Sequence, residues 1–186
     1  MSDMCASQCA PAEYEVLRSE LDTLMSVVDF SYSPSVIDMC AGAGDLSYIL
    51  KSLDFAVVSN SLYSGDATDH HYDALLPSSY ERLKDEYGSH VIIVTPLYEL
   101  ADAVLSLAVE YAQHVACCRV PCQFLNERRQ HPDQDQWLKD LQDQRRLLAI
   151  YPAIQAAEDG STLADGHIWL LVFASEELKN LMTLSS

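Results

Sequence analysis

The sequence predicts an α/β domain built on a mostly parallel sheet with helices on both faces. Two observations carry this. Short continuous apolar runs at 36–40, 55–58, 90–94 and 115–120 alternate with segments of helical spacing, and a glycine turn at 41–45 joins the first run directly to a helix. Strands apolar at every position mark a sheet covered on both sides, as parallel sheets are.

The elements follow in order. Residues 1–11 are small and polar and read as a flexible N-terminus, leaving 12–186 as one domain. From Pro11 the apolar positions Val16, Leu17, Leu21, Leu24, Met25 and Val28 recur at three and four, the stripe of a helix ending near Phe30. Val36-Ile37-Asp38-Met39-Cys40 is the first strand, and Leu46, Ile49, Leu50 and Leu53 mark the helix after the turn. Phe55–Val58 is a second strand, followed by a polar loop over 59–73 and a surface helix over 78–87 that stops at Gly88. His90–Val94 is a third strand; Leu100, Val104, Leu107, Ala108 and Tyr111 give the next helix, and Val115–Val120 the fourth strand. A helix through Trp137, Leu138 and Leu141 leads to a strand at 147–151, and Ile168–Phe173 closes the sheet. Between these last two strands there is no helical pattern, so an antiparallel pair is open to them.

At 186 residues and 49% hydrophobic content the chain suits a single core. The charge of −17, from 28 acids against 11 bases, argues against tight autonomous binding to nucleic acid. Five of the bases, Arg119, Arg128, Arg129, Arg145 and Arg146, crowd into one stretch and offer a local positive face. The six cysteines lack paired zinc-ribbon spacing and are expected to be free thiols in an intracellular, reducing compartment. No run approaches a membrane span. His70-His71 with Asp66, Asp69 and Asp73 reads as a solvated loop, and no metal site is expected.

In such a sheet ligands bind at the carboxyl ends of the strands, where chain order reverses. The segment Asp38 to Asp45 lies there. Gly42 and Gly44 let the backbone turn sharply, and the following helix aims free N–H groups into the turn. Acids flank this loop where a phosphate binder would carry bases, so a zwitterionic ligand without phosphate fits better.

Asp38-Met-Cys-Ala-Gly-Ala-Gly44 resembles the first motif of S-adenosylmethionine-dependent methyltransferases, and the run is most similar to bacterial and phage N6-adenine DNA methyltransferases over about 36–175. The resemblance implies a Rossmann-like class I methyltransferase fold of about seven strands. It assigns S-adenosylmethionine to Asp38, Cys40, Gly42 and Gly44, with the adenine ring near Asp69 or Asp66. The ribose-binding acid of the family is missing, since the second strand ends Val58-Ser59-Asn60-Ser61; Asn60 is its neutral substitute. Where the family carries its catalytic Asn-Pro-Pro-Tyr/Phe, this chain has Thr95-Pro96-Leu97-Tyr98, so Thr95, Pro96 and Tyr98 are the implied catalytic positions. Their family task is to accept hydrogen bonds from an exocyclic amine while the aromatic ring stacks on a flipped base. Residues 116–128 and Ile168-Trp169 match the family in fold more than in chemistry.

Two functions remain open from the sequence. One is an enzyme methylating an adenine amino group in DNA or RNA, with a basic protein partner supplying affinity. The other is a catalytically inactive relative acting as a structural or protein-binding subunit, which the altered tetrad and acidic surface favour. A phosphate-dinucleotide enzyme ranks third, because the third glycine of G-x-G-x-x-G is absent.

Overall fold

A computed structural model describes residues 11–33, 35–63, 68–125, 136–150 and 166–184. Six strands, β1 (Val36–Asp38), β2 (Val57–Ser59), β3 (Val91–Val94), β4 (Val115–Pro121), β5 (Leu147–Ile150) and β6 (His167–Phe173), form one sheet in the order β2-β1-β3-β4-β6-β5. The first four are mutually parallel, whereas β6 runs antiparallel to both β4 and β5. Helices α1 (Pro11–Val27), α2 (Asp45–Ser52), α3 (Pro77–Tyr87), α4 (Ala101–Tyr111), α5 (Gln136–Asp143) and α6 (Glu176–Met182) complete the described chain. None of the described helices is long and apolar enough to cross a membrane.

Side-chain alternation along the strands divides the interior into two cores. Val36, Val91, Ile93, Val115, Cys117, Trp169, Leu171 and Phe173 face α1 and α2. Ile37, Ile92, Val94, Ala116, Cys118, Ile168 and Leu170 face α3 and α4, where Tyr80, Leu83, Val104 and Leu105 meet them. The neighbours Cys117 and Cys118 therefore enter opposite cores, and burial pushes both thiols above their ordinary range. Cys40, Cys117, Cys118 and Cys122 are all free.

Three differences from the sequence expectation have local causes. Six strands are described where about seven were expected. Beyond β2 the chain at 68–72 makes a single parallel bridge, Asn60 to His70, because the Asp69 side chain takes the Ser59 N–H that a neighbouring strand's carbonyl would accept. β2 starts at Val57 rather than Phe55, since the Phe55 amide still bonds the Leu50 carbonyl of α2 after a left-handed turn at Asp54. α1 stops at Val27: Val28 bridges to Thr183, and Asp29 caps a 3-10 turn at Phe30–Tyr32 by accepting the Ser31 N–H at 2.9 Å. The expected features at Glu127, Arg128, Asp159-Gly160 and Asp165 lie outside the described residues.

Long-range polar contacts fasten α1 to the sheet. Glu20, buried on α1, takes a two-pronged ion pair from Arg119 of β4 at 2.6 and 2.9 Å, and its Oε2 also accepts the Trp169 indole N–H at 3.2 Å. Breaking one side of such a pair strands a charge in the interior. Arg119→Ala is expected to destabilise the protein by about 3–4 kcal/mol in urea unfolding, and a loss below about 0.5 kcal/mol would show the pair to be a surface-like contact. Exchanging both partners for Leu and Met is expected to recover most of that loss.

Candidate functional site

β1 is the point where strand order reverses, with β2 on one side and β3 on the other. At its end the chain enters the glycine turn. Gly42 and Gly44 hold φ values of 53° and 89°, the left-handed region that glycine tolerates best. A Cβ on Gly42 would meet nothing within 4 Å, so this glycine serves the turn's conformation and leaves its outer side open. The Gly44 amide bonds the Ala41 carbonyl, the Gly44 carbonyl accepts the Tyr48 N–H, and α2 begins without a side-chain cap.

Asp38 is fully buried at the head of this turn. Its Oδ2 accepts the Ser47 hydroxyl at 2.7 Å, while Oδ1 has no hydrogen-bond partner. Burial raises its pKa to about 6, against the pull of the Ser47 hydroxyl, the Cys40 amide and the Lys51 ammonium. Asp45 at the far end of the turn also holds a buried oxygen, Oδ1, without a partner. The loop thus presents two unmatched carboxylate oxygens, acceptors suited to a cation or a hydroxyl donor.

The expected cofactor residues meet in part. Cys40 stands in the turn, and its carbonyl accepts the Thr95 hydroxyl at 3.0 Å, tying the end of β3 to the loop. Burial and the nearby Asp38 push the Cys40 thiol up to about 12, which removes thiolate chemistry at neutral pH. Asn60, with no exposed surface, spends its amide on the backbone: Nδ2 donates to the Met39 and Tyr72 carbonyls at 3.0 and 2.9 Å, and Oδ1 accepts the Tyr72 N–H at 2.8 Å. It clips the 68–72 segment to β1 rather than facing the crevice. Asp69 lies beside β2, where its Oδ2 accepts the Ser59 N–H and hydroxyl at 2.9 and 2.8 Å and pairs with Lys51 at 3.3 Å. Partial burial works against the ionised form there, but Ser59 and Lys51 outweigh it and lower the pKa. Asp66, the other candidate for that role, lies outside the described residues.

The tetrad positions follow β3. Thr95 is half-buried and donates its hydroxyl to the loop, Pro96 is half-buried beside it, and Leu97 is 73% exposed. Tyr98 opens a 3-10 turn and packs edge to face with Phe124, ring centroids 6.0 Å apart.

Ser47 escaped the sequence reading. The signal was a small hydroxyl residue on the inward face of α2 among Leu46, Ile49 and Leu50, all buried. Also unforeseen is a cleft of about 220 Å³ lined by His71, Tyr72, Asp73, Leu76, Ser78, Ser79 and Arg82. Asn60 connects it to the glycine loop through Tyr72 and Met39. Arg82 lies over the Tyr72 ring, 5.6 Å from its centroid, and His70 is stacked with the same ring at 5.4 Å.

No family model matches the sequence, and no curated protein matches it. Solved structures match in shape. An O-methyltransferase from Bacillus cereus in complex with SAH superposes with a TM-score of 0.53 at 11% identity, covering 92% of this chain and 84% of that one. Magnesium protoporphyrin IX methyltransferase (ChlM) from Synechocystis PCC 6803 with bound SAH gives 0.51 at 13% identity, covering 92% and 90%. A candidate hemolysin from Lactococcus lactis gives 0.54 at 9% identity, covering 87% and 88%. The chain has the Rossmann-like class I methyltransferase fold.

Asp38 makes stability depend on pH. Its folded pKa of about 6 lies above the ordinary aspartate value of 3.8, so the folded protein holds the extra proton and loses stability as pH rises from 3.8 to 6. Asp38→Asn is therefore expected to stabilise the ligand-free protein at pH 7 by about 1–3 kcal/mol, a gain that fades as pH falls toward 4. Urea unfolding at both pH values measures it; a variant less stable than wild type at pH 7 would refute the burial cost. Asn60→Ala orphans three backbone groups, and its expected loss is about 2–4 kcal/mol. A loss under about 1 kcal/mol would mean that the clip is dispensable.

Proposed function

We propose that this chain binds S-adenosylmethionine and transfers its methyl group to an amino nitrogen, the N6 of adenine in nucleic acid being the reading closest to the sequence. One observation carries the cofactor assignment: a buried carboxylate oxygen without a partner, Asp38 Oδ1, at the end of β1, where strand order reverses, beside an open glycine turn. The cofactor's ammonium supplies the charge and N–H donor this oxygen lacks. Asp45 Oδ1 offers a second acceptor along the turn. When bound, S-adenosylmethionine provides an electrophilic methyl group, so the protein's share of the work is to orient donor and acceptor and exclude water. Thr95 and Pro96 form the rim toward the acceptor. With a charge of −17, the chain needs a basic protein partner to hold a polyanionic substrate.

A second reading has an observation of its own. Thr95 already donates its hydroxyl to the Cys40 carbonyl, and Tyr98 packs on Phe124, so the tetrad positions are engaged inside the protein. This favours a relative that keeps the cofactor loop and serves as a binding subunit.

Calorimetry with S-adenosylmethionine and with its demethylated product tests the shared premise. Micromolar binding by wild type and no detectable heat with Asp38→Ala is the expected result; equal binding by the variant sinks the loop assignment. Transfer of labelled methyl to adenine-containing DNA or RNA then separates the readings. Under the enzyme reading Tyr98→Ala keeps cofactor affinity and lowers turnover by about tenfold or more, the scale of a lost stacking contact. Binding by wild type without transfer to either polymer selects the subunit.

A further inference from the structure

Asp38 is held by one side chain, and that side chain determines what the carboxylate has left to offer. Ser47 comes from the first turn of α2, is 3% exposed, and donates its hydroxyl to Oδ2 at 2.7 Å. An ionised carboxylate only accepts, so this hydroxyl must spend its single proton on Asp38. Besides Ser47, the groups acting on Asp38 are the Cys40 amide on its own loop and the Lys51 ammonium two turns along α2, while Asp38 in turn raises the Cys40 thiol. Lys51 is itself committed to Asp69 at 3.3 Å. Ser47 is thus the direct side-chain donor to a carboxylate with no exposed surface.

We propose that Ser47 is the positioning residue of this site, fixing Asp38 through Oδ2 so that Oδ1 alone faces the crevice and selects a ligand bearing a compact primary ammonium. The assignment rests on the cofactor reading above and deepens it. A guanidinium fork on this carboxylate would have to share Oδ2 with the Ser47 hydroxyl, whereas a primary ammonium needs Oδ1 alone. A neutral hydroxyl satisfies the lone pair but leaves the buried charge uncompensated. A primary ammonium answers both needs with one contact.

The experiment follows the Asp38 carboxyl carbon by NMR across a pH titration of the ligand-free wild type, Ser47→Ala and Ser47→Thr, with Asp38→Asn identifying the resonance. Loss of the hydroxyl is expected to move the midpoint up by about one pH unit, and threonine to restore it. Calorimetry with S-adenosylmethionine from pH 5 to 8 reads the consequence. Binding needs the ionised carboxylate, so wild-type affinity rises up to the Asp38 pKa of about 6 and levels above it. Ser47→Ala is expected to bind about tenfold more weakly at pH 5.5 and to come within about twofold of wild type by pH 8. A purely structural defect would weaken binding equally at every pH. An unmoved Asp38 midpoint in Ser47→Ala, or a uniform loss of affinity, overturns the proposal. A shifted midpoint in a protein whose wild type binds no S-adenosylmethionine at any pH overturns the cofactor reading instead, and leaves Ser47 as the group that holds Asp38.

Discussion

The carboxylate of Asp38, stripped of solvent at the end of β1, is the constraint around which this end of the molecule is arranged. Its charge costs about 3 kcal/mol net, the equivalent of the rise in its pKa from 3.8 to about 6 that burial causes. The fold accepts that cost because β1 is flanked on both sides, by β2 and β3, and cannot move its last residue toward water. The cost would be larger without the Ser47 hydroxyl of α2, the Cys40 amide of the turn and, through space, Lys51. A carboxylate desolvated at a strand end in this way is a site candidate with a stated physical rationale.

The scaffold itself is held by apolar burial on two faces, with one polar fastening where α1 crosses β4 and β6. Val and Ile fill the short parallel strands because a strand buried on both sides has no position at which a polar side chain reaches water. Asp38 and Ser59, at the ends of β1 and β2, are buried polar exceptions on these strands; on α1 the buried Glu20 is tolerated because Arg119 and the Trp169 indole bond its carboxylate. The two long strands β4 and β6, paired over seven residues, give the sheet its rigid centre. The short strands β1 and β2, of three residues each, end where the loops begin.

Those loops are coupled to one another by backbone contacts. Thr95 ties the end of β3 to the glycine turn, and Asn60 ties the turn's first residues to the segment beside β2. The glycine turn, the end of β3 and the segment beside β2 are thus hydrogen-bonded together. Residues that a family pattern would assign to ligand contact, Thr95 and Asn60, have taken on this internal work.

By itself the sequence determined the alternation of strand and helix, the glycine turn and the acid at its head, because these rest on periodicity and on backbone freedom at two glycines, both local properties. The parting of Cys117 and Cys118 into opposite cores follows from the same kind of local property, the twofold period of a strand. Only the tertiary structure decided what the acid does. Ser47 lies nine residues away, and nothing in local spacing reveals that its hydroxyl reaches Asp38. The fate of Asn60 depended on Tyr72 twelve residues on, and that of Glu20 on Arg119 ninety-nine residues on. A polar side chain buried in a core takes its meaning from its partner, and partners are chosen by packing rather than by neighbourhood in the chain.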